Sequence, residues 1–507
     1  MMRRLVFTSV FAMVLIIPAA SFAQLQGIEL AGYGDGYLNY NTPGGGARAA
    51  GMGGAFIGLA EGEMAYSWNP AAMIYTDRTK FGIDFLSRQD KIDEYFVYQR
   101  FFDRSNPLIE TYQADLSHTS LNYGGFSAPF TLDSDSDARF VMVPLLPLTL
   151  IPMAFSPSED LELTVGGGYR HIFDLSADFE FPGFDNSKNT FDQSRGVDAI
   201  SLGIATKVRE GIGFGWNLNT FVRGTEYNWI TGETELVSEF ITDNRADTVV
   251  AGWNKLKSTF SGFSMDIGLS ANYNMIRAGA VLHTPYKLYQ ESKLTSRVIV
   301  PPEPVGTIDR ISFTYDMPLS ASFGIAVLPI ENLSIDFDYV YRPLSEAKIK
   351  VDWQQTALSF RDTTQNAGWE DVNQFRVGAE YIIDADFAKI PLRVGFRNEP
   401  LVMDELTTRT YDVQDSTGYV ADFVSVDNQR GDQISTSIVA FGTGLAFDNI
   451  WFDVGYQFGS YSYNSRVIYN YTDTSLDPNP PATTIYDDTH EIKLDYSKLF
   501  FSVGMYF

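Results

Sequence analysis

Apolar and polar positions alternate along most of this chain, most plainly at its end. Leu499, Phe501, Val503, Met505 and Phe507 fall at every second position, with Ser502 and Gly504 between them and Lys498 just before. A strand sends successive side chains to opposite faces, so one face here is wholly apolar and the last residue is an aromatic. A soluble domain seldom ends on such a stripe. A strand that closes an outer-membrane barrel does, because its outward face meets lipid. Leu333–Tyr341 repeats the pattern: Leu333, Ile335, Phe337, Tyr339 and Tyr341 share one face, and Ser334, Asp336 and Asp338 share the other. Two carboxylates turned into a dry sandwich core are costly, whereas a water-filled lumen would solvate them. Phe452, Val454, Tyr456 and Phe458 alternate in the same way with Asp453, Gly455, Gln457 and Gly459. Glycine on an inward face suggests that something packs closely against the wall.

The same reading predicts strands near 79–102, 112–127, 138–155, 160–182, 197–208, 211–229, 261–272, 275–299, 318–328, 332–354, 372–383, 391–402, 433–447, 450–470 and 490–507. Single-chain bacterial barrels use even strand numbers. This odd set therefore contains one stretch too many or too few, with the miscount expected before residue 155. Polar stretches at 230–258, 300–316, 355–371, 403–432 and 471–489 read as long outer loops. Short links such as Val208–Ile212 read as turns on the other side.

The N-terminus adds an export signal. Arg3 and Arg4 precede a mostly apolar run from Leu5 to Ile17, and Ser21, Phe22 and Ala23 supply a cleavage site after Ala23. Residues 1–23 are read as a signal peptide. The chain has no cysteine, which excludes disulfides and thiolate chemistry. Its formal charge of −26 excludes nucleic acid as a partner, and 14% aromatic residues exclude an acidic disordered chain. The class that remains is all-β: a transmembrane antiparallel barrel over residues 79–507, in the bacterial outer membrane. Residues 24–78 are rich in Gly and Ala and lack the alternation, which suggests a small hatch folded inside the barrel.

The stretch Gly46–Phe56, followed by Tyr66–Met73, resembles the N-terminal hatch of the FadL/TodX family of outer-membrane transporters of long-chain fatty acids and other hydrophobic compounds. Asn69, Pro70 and Ala71 match the family's Asn-Pro-Ala hatch motif. Ala278–Pro285, Met317–Ala326 and Pro391–Phe396 resemble its strands. The resemblance implies a barrel of fourteen strands around a hatch, passive uptake of a hydrophobic small molecule, and lateral release into outer-membrane lipid. It implies that Asn69 anchors the hatch to the wall. The hatch is longer than the family pattern, and the Trp-Asn-Pro-Ala form also resembles PorV-like relatives, which share the barrel and serve a secretion system. The C-terminal strand ending in Phe507 is the expected signal for the barrel-assembly machinery.

Phe140–Phe155 is nearly all apolar yet holds Pro144, Pro147 and Pro152. Prolines remove ladder donors, so the stretch is expected either as a kinked wall strand beside a lateral exit or as an apolar rim or periplasmic turn. Other motifs are weak. Gly44–Gly54 lacks the Lys-Ser/Thr of a phosphate loop. Asp133, Asp135 and Asp137 begin like a calcium loop, but Ala138 and Pro144 occupy positions that need Gly and Glu. His118, His171, His283 and His490 have no zinc spacing. No Gly-x-Ser-x-Gly elbow is present, and no catalytic residue, metal or cofactor is assigned. The chain is read as a transporter and not an enzyme. A secretion partner and a barrel enzyme with a site built across strands are the alternatives.

Overall fold

The computed structural model describes residues 44–98 and most of 108–507, apart from connecting segments on the long-loop side and short stretches between paired segments. Residues 1–43, the predicted signal peptide among them, lie outside the described residues.

Fourteen antiparallel strands form a closed barrel. They are β1 (Lys80–Tyr98), β2 (Leu108–Leu132), β3 (Leu161–Asp174, then Ala177–Pro182), β4 (Lys188–Arg209) and β5 (Ile212–Val222, then Gly224–Leu236). Next come β6 (Gly252–Tyr273), β7 (Ile276–His283, then Tyr286–Val298), β8 (Val305–Met317, then Ser320–Ile330), β9 (Leu333–Arg342, then Lys348–Gln354) and β10 (Thr363–Asn366, then Val372–Ala385). The wall ends with β11 (Ala388–Asp415), β12 (Ala421–Ala446), β13 (Ile450–Asp473) and β14 (Thr483–Tyr506). Each strand pairs with its chain neighbours. β14 closes on β1 from Lys80↔Tyr506 to Val97↔Thr489. Closure removes the free edges that would leave backbone groups unpaired in lipid.

The alternation sets the two faces. Leu499, Phe501, Met505 and Phe507 are exposed on the outside, while Phe500 and Ser502 are buried inside. Ile335 and Phe337 point out, and Ser334, Asp336 and Asp338 point in. No helix among the described residues is long and apolar enough to cross a membrane; the strands do so. Tight turns such as Glu210–Gly211 and Asn274–Met275 mark one end of the barrel, with Gly211 and Asn274 in the left-handed region. By the usual asymmetry this end is periplasmic.

Two expectations are corrected. Residues 138–155 do not form a wall strand. Phe140–Leu146 and Thr149–Ala154 pair with each other as a separate hairpin. β2 pairs directly with β3 from Tyr123↔Arg170 to Leu132↔Leu161. The prolines explain this: a segment without three amide donors cannot supply a two-sided ladder. The hairpin belongs to the β2–β3 connection at the short-turn end, which is the periplasmic-turn reading. Pro144 and Pro152 lie in it, and Pro147 lies outside the described residues. With that stretch removed, the remaining sequence-predicted stretches correspond one to one with β1–β14. The polar segments 230–258, 300–316, 355–371, 403–432 and 471–489 are also not purely loop, because β5, β6, β8 and β10–β14 run into them. A strand that continues above the lipid no longer needs an apolar outer face.

Candidate functional site

The hatch occupies the lower lumen. Its elements are short: α1 (Ala47–Gly51), a 3-10 turn (Gly62–Met64), α2 (Ala65–Trp68) and a second 3-10 turn (Pro70–Tyr75). Phe56, Leu59, Tyr66, Trp68 and Met73 form its buried core with Tyr123 of β2. Phe56 and Trp68 meet edge-to-face at 5.8 Å.

The wall admits the hatch through a belt of glycines. A Cβ on Gly395 would lie 2.0 Å from the Met52 carbonyl carbon, and one on Gly442 3.0 Å from the Gly51 Cα. Gly215 meets the Pro70 backbone, Gly279 the Ile57 carbonyl, and Gly324 the Gly58 amide, each within 2.6 Å of where a Cβ would stand. Glycine is needed here for close approach of backbone to backbone. On the hatch side, Gly46 is doubly constrained, with φ 104° and the Met64 sulfur where its side chain would be.

Directed hydrogen bonds then hold what the glycines admit. The Asp338 carboxylate accepts from the Phe56 amide at 2.7 Å and the Ile57 amide at 3.0 Å. Asp336 and Asp338 are therefore not solvated in an open lumen, as their polarity alone suggested; both are buried under the hatch. Gln457 donates to the Ala50 carbonyl at 2.8 Å, and Arg376 to the Gly54 carbonyl at 3.1 Å. The Ala47 amide donates to the Ser502 hydroxyl at 2.7 Å, which donates to Asp84 at 2.6 Å, tying the hatch across the β14–β1 seam. Arg48 forks onto Glu380 at 2.7 and 3.0 Å and also reaches Glu61 at 2.6 Å; Arg393 joins Glu380 to Asp453. Burial pushes the Glu63 carboxyl, seated against Gly82, up to about 7.

Asn69, Pro70 and Ala71 sit where the hatch touches β5 and β6. Asn69 is fully buried. Its side-chain oxygen accepts from the Ala71 amide at 3.1 Å, capping the 3-10 turn, and its nitrogen donates to the Leu269 carbonyl of β6 at 3.0 Å. Pro70 occupies the first position of that turn, where a missing N–H costs nothing.

Above the belt the inward positions change character. Along β5 they read Gly213, Gly215, Asn217, Asn219, Phe221; along β8, from below, Gly324, Ser322, Ser320 and then Met317, Tyr315, Phe313. The upper lumen is filled by an apolar cluster of buried side chains, among them Phe221, Phe260, Leu288, Phe313, Tyr315, Trp369 and Val402. Between the polar girdle of Asn217, Asn219, Ser320 and Ser322 and this cluster lies a cavity of about 100 Å³. Trp68 and Ile57 of the hatch, Phe221, Tyr286, Met317 and Leu344 give it apolar walls; Arg170, Asp266, His283 and Ser322 give it polar ones.

The wall ladder is interrupted beside this cavity. β7 and β8 pair up to His283↔Ser320 and resume at Tyr286↔Met317 in unchanged register, so Pro285 and Pro318 stand opposite each other. Neither has an N–H to give. Both strands exchange faces there: Val281 and His283 point inward below the break, and Leu288 and Gln290 above it. Sequence reasoning missed this site because each proline alone reads as an ordinary strand end; only the register sets them together.

A fourteen-stranded barrel with a hatch docked in its lower lumen is the fold this chain shares with solved outer-membrane barrels. Among solved structures, the chain is similar to a FadL homologue of Pseudomonas aeruginosa at 10% identity and TM-score 0.50, over 90% of this chain and 98% of that one. It also matches the toluene transporters TbuX of Ralstonia pickettii (14% identity, TM-score 0.47, 92% of this chain and 100% of that one) and TodX of P. putida (12%, 0.46, 92% and 99%). No family model and no curated protein matches the chain. The likeness to the first is one of fold.

Proposed function

We propose that this protein is an outer-membrane channel for passive uptake of hydrophobic molecules, long-chain fatty acids among them, with lateral release into the membrane. The observation that carries this reading is the order of the lumen: packed apolar side chains lie above a cavity, a bonded hatch blocks the way below it, and the wall beside it has a broken ladder. A ligand blocked axially has the side as its route. Each methylene that leaves water for an apolar medium contributes roughly 0.8 kcal/mol, so passage into lipid keeps a gain that passage into periplasmic water would forfeit. The exit is assigned to Pro285 and Pro318 in place of the Pro144–Pro152 stretch, and Asn69 keeps the role of hatch anchor.

The test is initial-rate uptake of a radiolabelled long-chain fatty acid and of a hydrocarbon by cells expressing the protein. Replacing Pro285 and Pro318 together by Val restores two donors and should slow uptake several-fold. Ligand extracted from the purified variant and identified by mass spectrometry should be undiminished. Uptake no faster than in cells without the protein, for both compounds, would overturn the transport reading; normal uptake by the double variant would overturn only the exit.

A further inference from the structure

The polar girdle contains an arrangement that transport does not use. Asp266 on β6, His283 on β7 and Ser322 on β8 lie on three adjacent strands. Asp266 is directly opposite His283, and Ser322 is two residues from His283's partner Ser320. The imidazole Nδ1 is 2.6 Å from Asp266 Oδ1, and its Nε2 is 3.2 Å from the Ser322 hydroxyl. The other Asp266 oxygen accepts from Asn219 at 2.9 Å, and Asn219 also reaches Ser264 at 3.2 Å. All three residues line the cavity. The His283 side chain is 30% exposed towards it, while Asp266 is buried behind.

We propose that Ser322, His283 and Asp266 form a hydrolytic site for esters of apolar molecules that reach the cavity. A carboxylate held from both sides keeps its orientation and fixes the Nδ1–H tautomer of His283. The Nε2 lone pair then faces the Ser322 hydroxyl, which is the arrangement that activates a serine irrespective of fold. Ser322 Oγ attacks the ester carbonyl while Nε2 takes its proton. The tetrahedral intermediate collapses, the C–O bond to the alcohol breaks, and the alcohol leaves with that proton. Water attacks the acyl-serine by the same base and releases the carboxylic acid, so the net reaction is ester plus water to acid plus alcohol. The Arg170, Arg342 and Arg376 side chains border the same cavity, so a developing oxyanion would form in positively charged surroundings. The Trp68, Phe221 and Met317 walls select an apolar substrate.

The test uses the purified full-length protein in detergent, with dodecyl fluorophosphonate as probe and p-nitrophenyl butyrate as substrate. Peptide mass spectrometry should place the phosphonate on Ser322. Ser322→Ala and His283→Gln should each lower labelling and hydrolysis by at least about 100-fold, with the heat-resistant barrel intact on gels. Ser437→Ala removes an exposed hydroxyl on β12 that does not line the cavity, and should leave both unchanged. No phosphonate on Ser322 in the folded wild type, or hydrolysis that survives Ser322→Ala, would overturn the proposal. Because labelling needs no transport, its failure leaves the uptake reading standing, and lost uptake with retained labelling breaks only the latter.

Discussion

The lower and upper halves of the lumen are built on opposite principles within one barrel. At the bottom, inward wall positions are glycine, polar or charged: the glycines let hatch backbone approach wall backbone, and the polar side chains bond the hatch through named hydrogen bonds. At the top, the same strands present Phe221, Leu288, Phe313, Tyr315 and Trp369, which meet mainly through apolar contact, with the Tyr315 hydroxyl donating to Gln290 at 2.8 Å. A close-packed seam with hydrogen bonds specifies one position; apolar packing specifies less sharply, because each methylene gained or lost changes affinity only modestly. On the transport reading, one half is suited to staying shut and the other to yielding to apolar molecules.

The strongest way to break this contrast is to deny the hatch its seat. Gly395→Val places a side chain into the Met52 and Gly53 backbone, which cannot move aside as a flexible side chain would. Overpacking ordinarily costs about 1–3 kcal/mol, and against backbone the cost should exceed that range. The expected result is an undocked hatch: large steady conductance in planar bilayers and rapid proteolysis within residues 44–79, against a closed and resistant wild type in the same assays. A closed, resistant variant would show that the glycine belt is not what seats the hatch. Next in size is Asp338→Ala. It leaves the Phe56 and Ile57 amides buried without their acceptor, a loss of about 2–3 kcal/mol. Intermittent opening should appear, and Asp338→Asn should recover part of the closure.

The wall was far more legible in the sequence than the seam. Alternation names faces directly, so β9 and β14 could be read from Ile335, Phe337, Leu499 and Phe501 alone. The Gly- and Ala-rich stretch before β1 announced that something small-sided packs closely, and Asn69 stood out within it. What could not be read was register. Asp338 meets Phe56 across hundreds of residues, Pro285 meets Pro318 across a strand pair, and Asp266, His283 and Ser322 converge from three strands. Local pattern holds no information on such pairs until the barrel's pairing is known. Phe140–Phe155 misled for the converse reason: an apolar run implies burial, but its prolines decide that the partner is its own other half and not the wall.

Hydrogen-ion concentration sharpens the comparison, because the hatch itself carries a buried acid without a full set of partners. Glu63 Oε1 has no hydrogen-bond partner, and burial raises the group from an ordinary 4.5 to about 7. A carboxyl whose pKa rises on docking favours the docked state while protonated. That contribution is complete below about pH 4.5 and is lost as pH rises through about 7. Hatch protection from protease should therefore fall between pH 5 and pH 8 by an amount worth no more than about 3 kcal/mol, and in practice less as the site relaxes. Glu63→Gln should flatten the profile. A flat wild-type profile would mean that the carboxylate finds solvent or a cation when ionised.

The smallest expected effect is at Asn69. Its two bonds do separate things: the oxygen caps the 3-10 turn through Ala71, and the nitrogen ties that turn to Leu269 in the wall. Gly268 and Gly279 leave room for the amide between strands, since a Cβ on either would fall within 2.7 Å of it. Removing the side chain costs about 1–2 kcal/mol, the sum expected for a cap and one buried bond that water can partly replace. The barrel does not depend on either bond, so Asn69→Ala should remain heat-resistant on gels. Fatty-acid uptake should fall a few-fold. Asn69→Asp separates the two roles: it keeps the capping oxygen and loses the donor to Leu269. If the anchor to the wall is what matters, the Asp variant should transport as poorly as the Ala variant. If the cap is what matters, it should transport as the wild type does, and unchanged uptake in both would remove Asn69 from the transport cycle altogether.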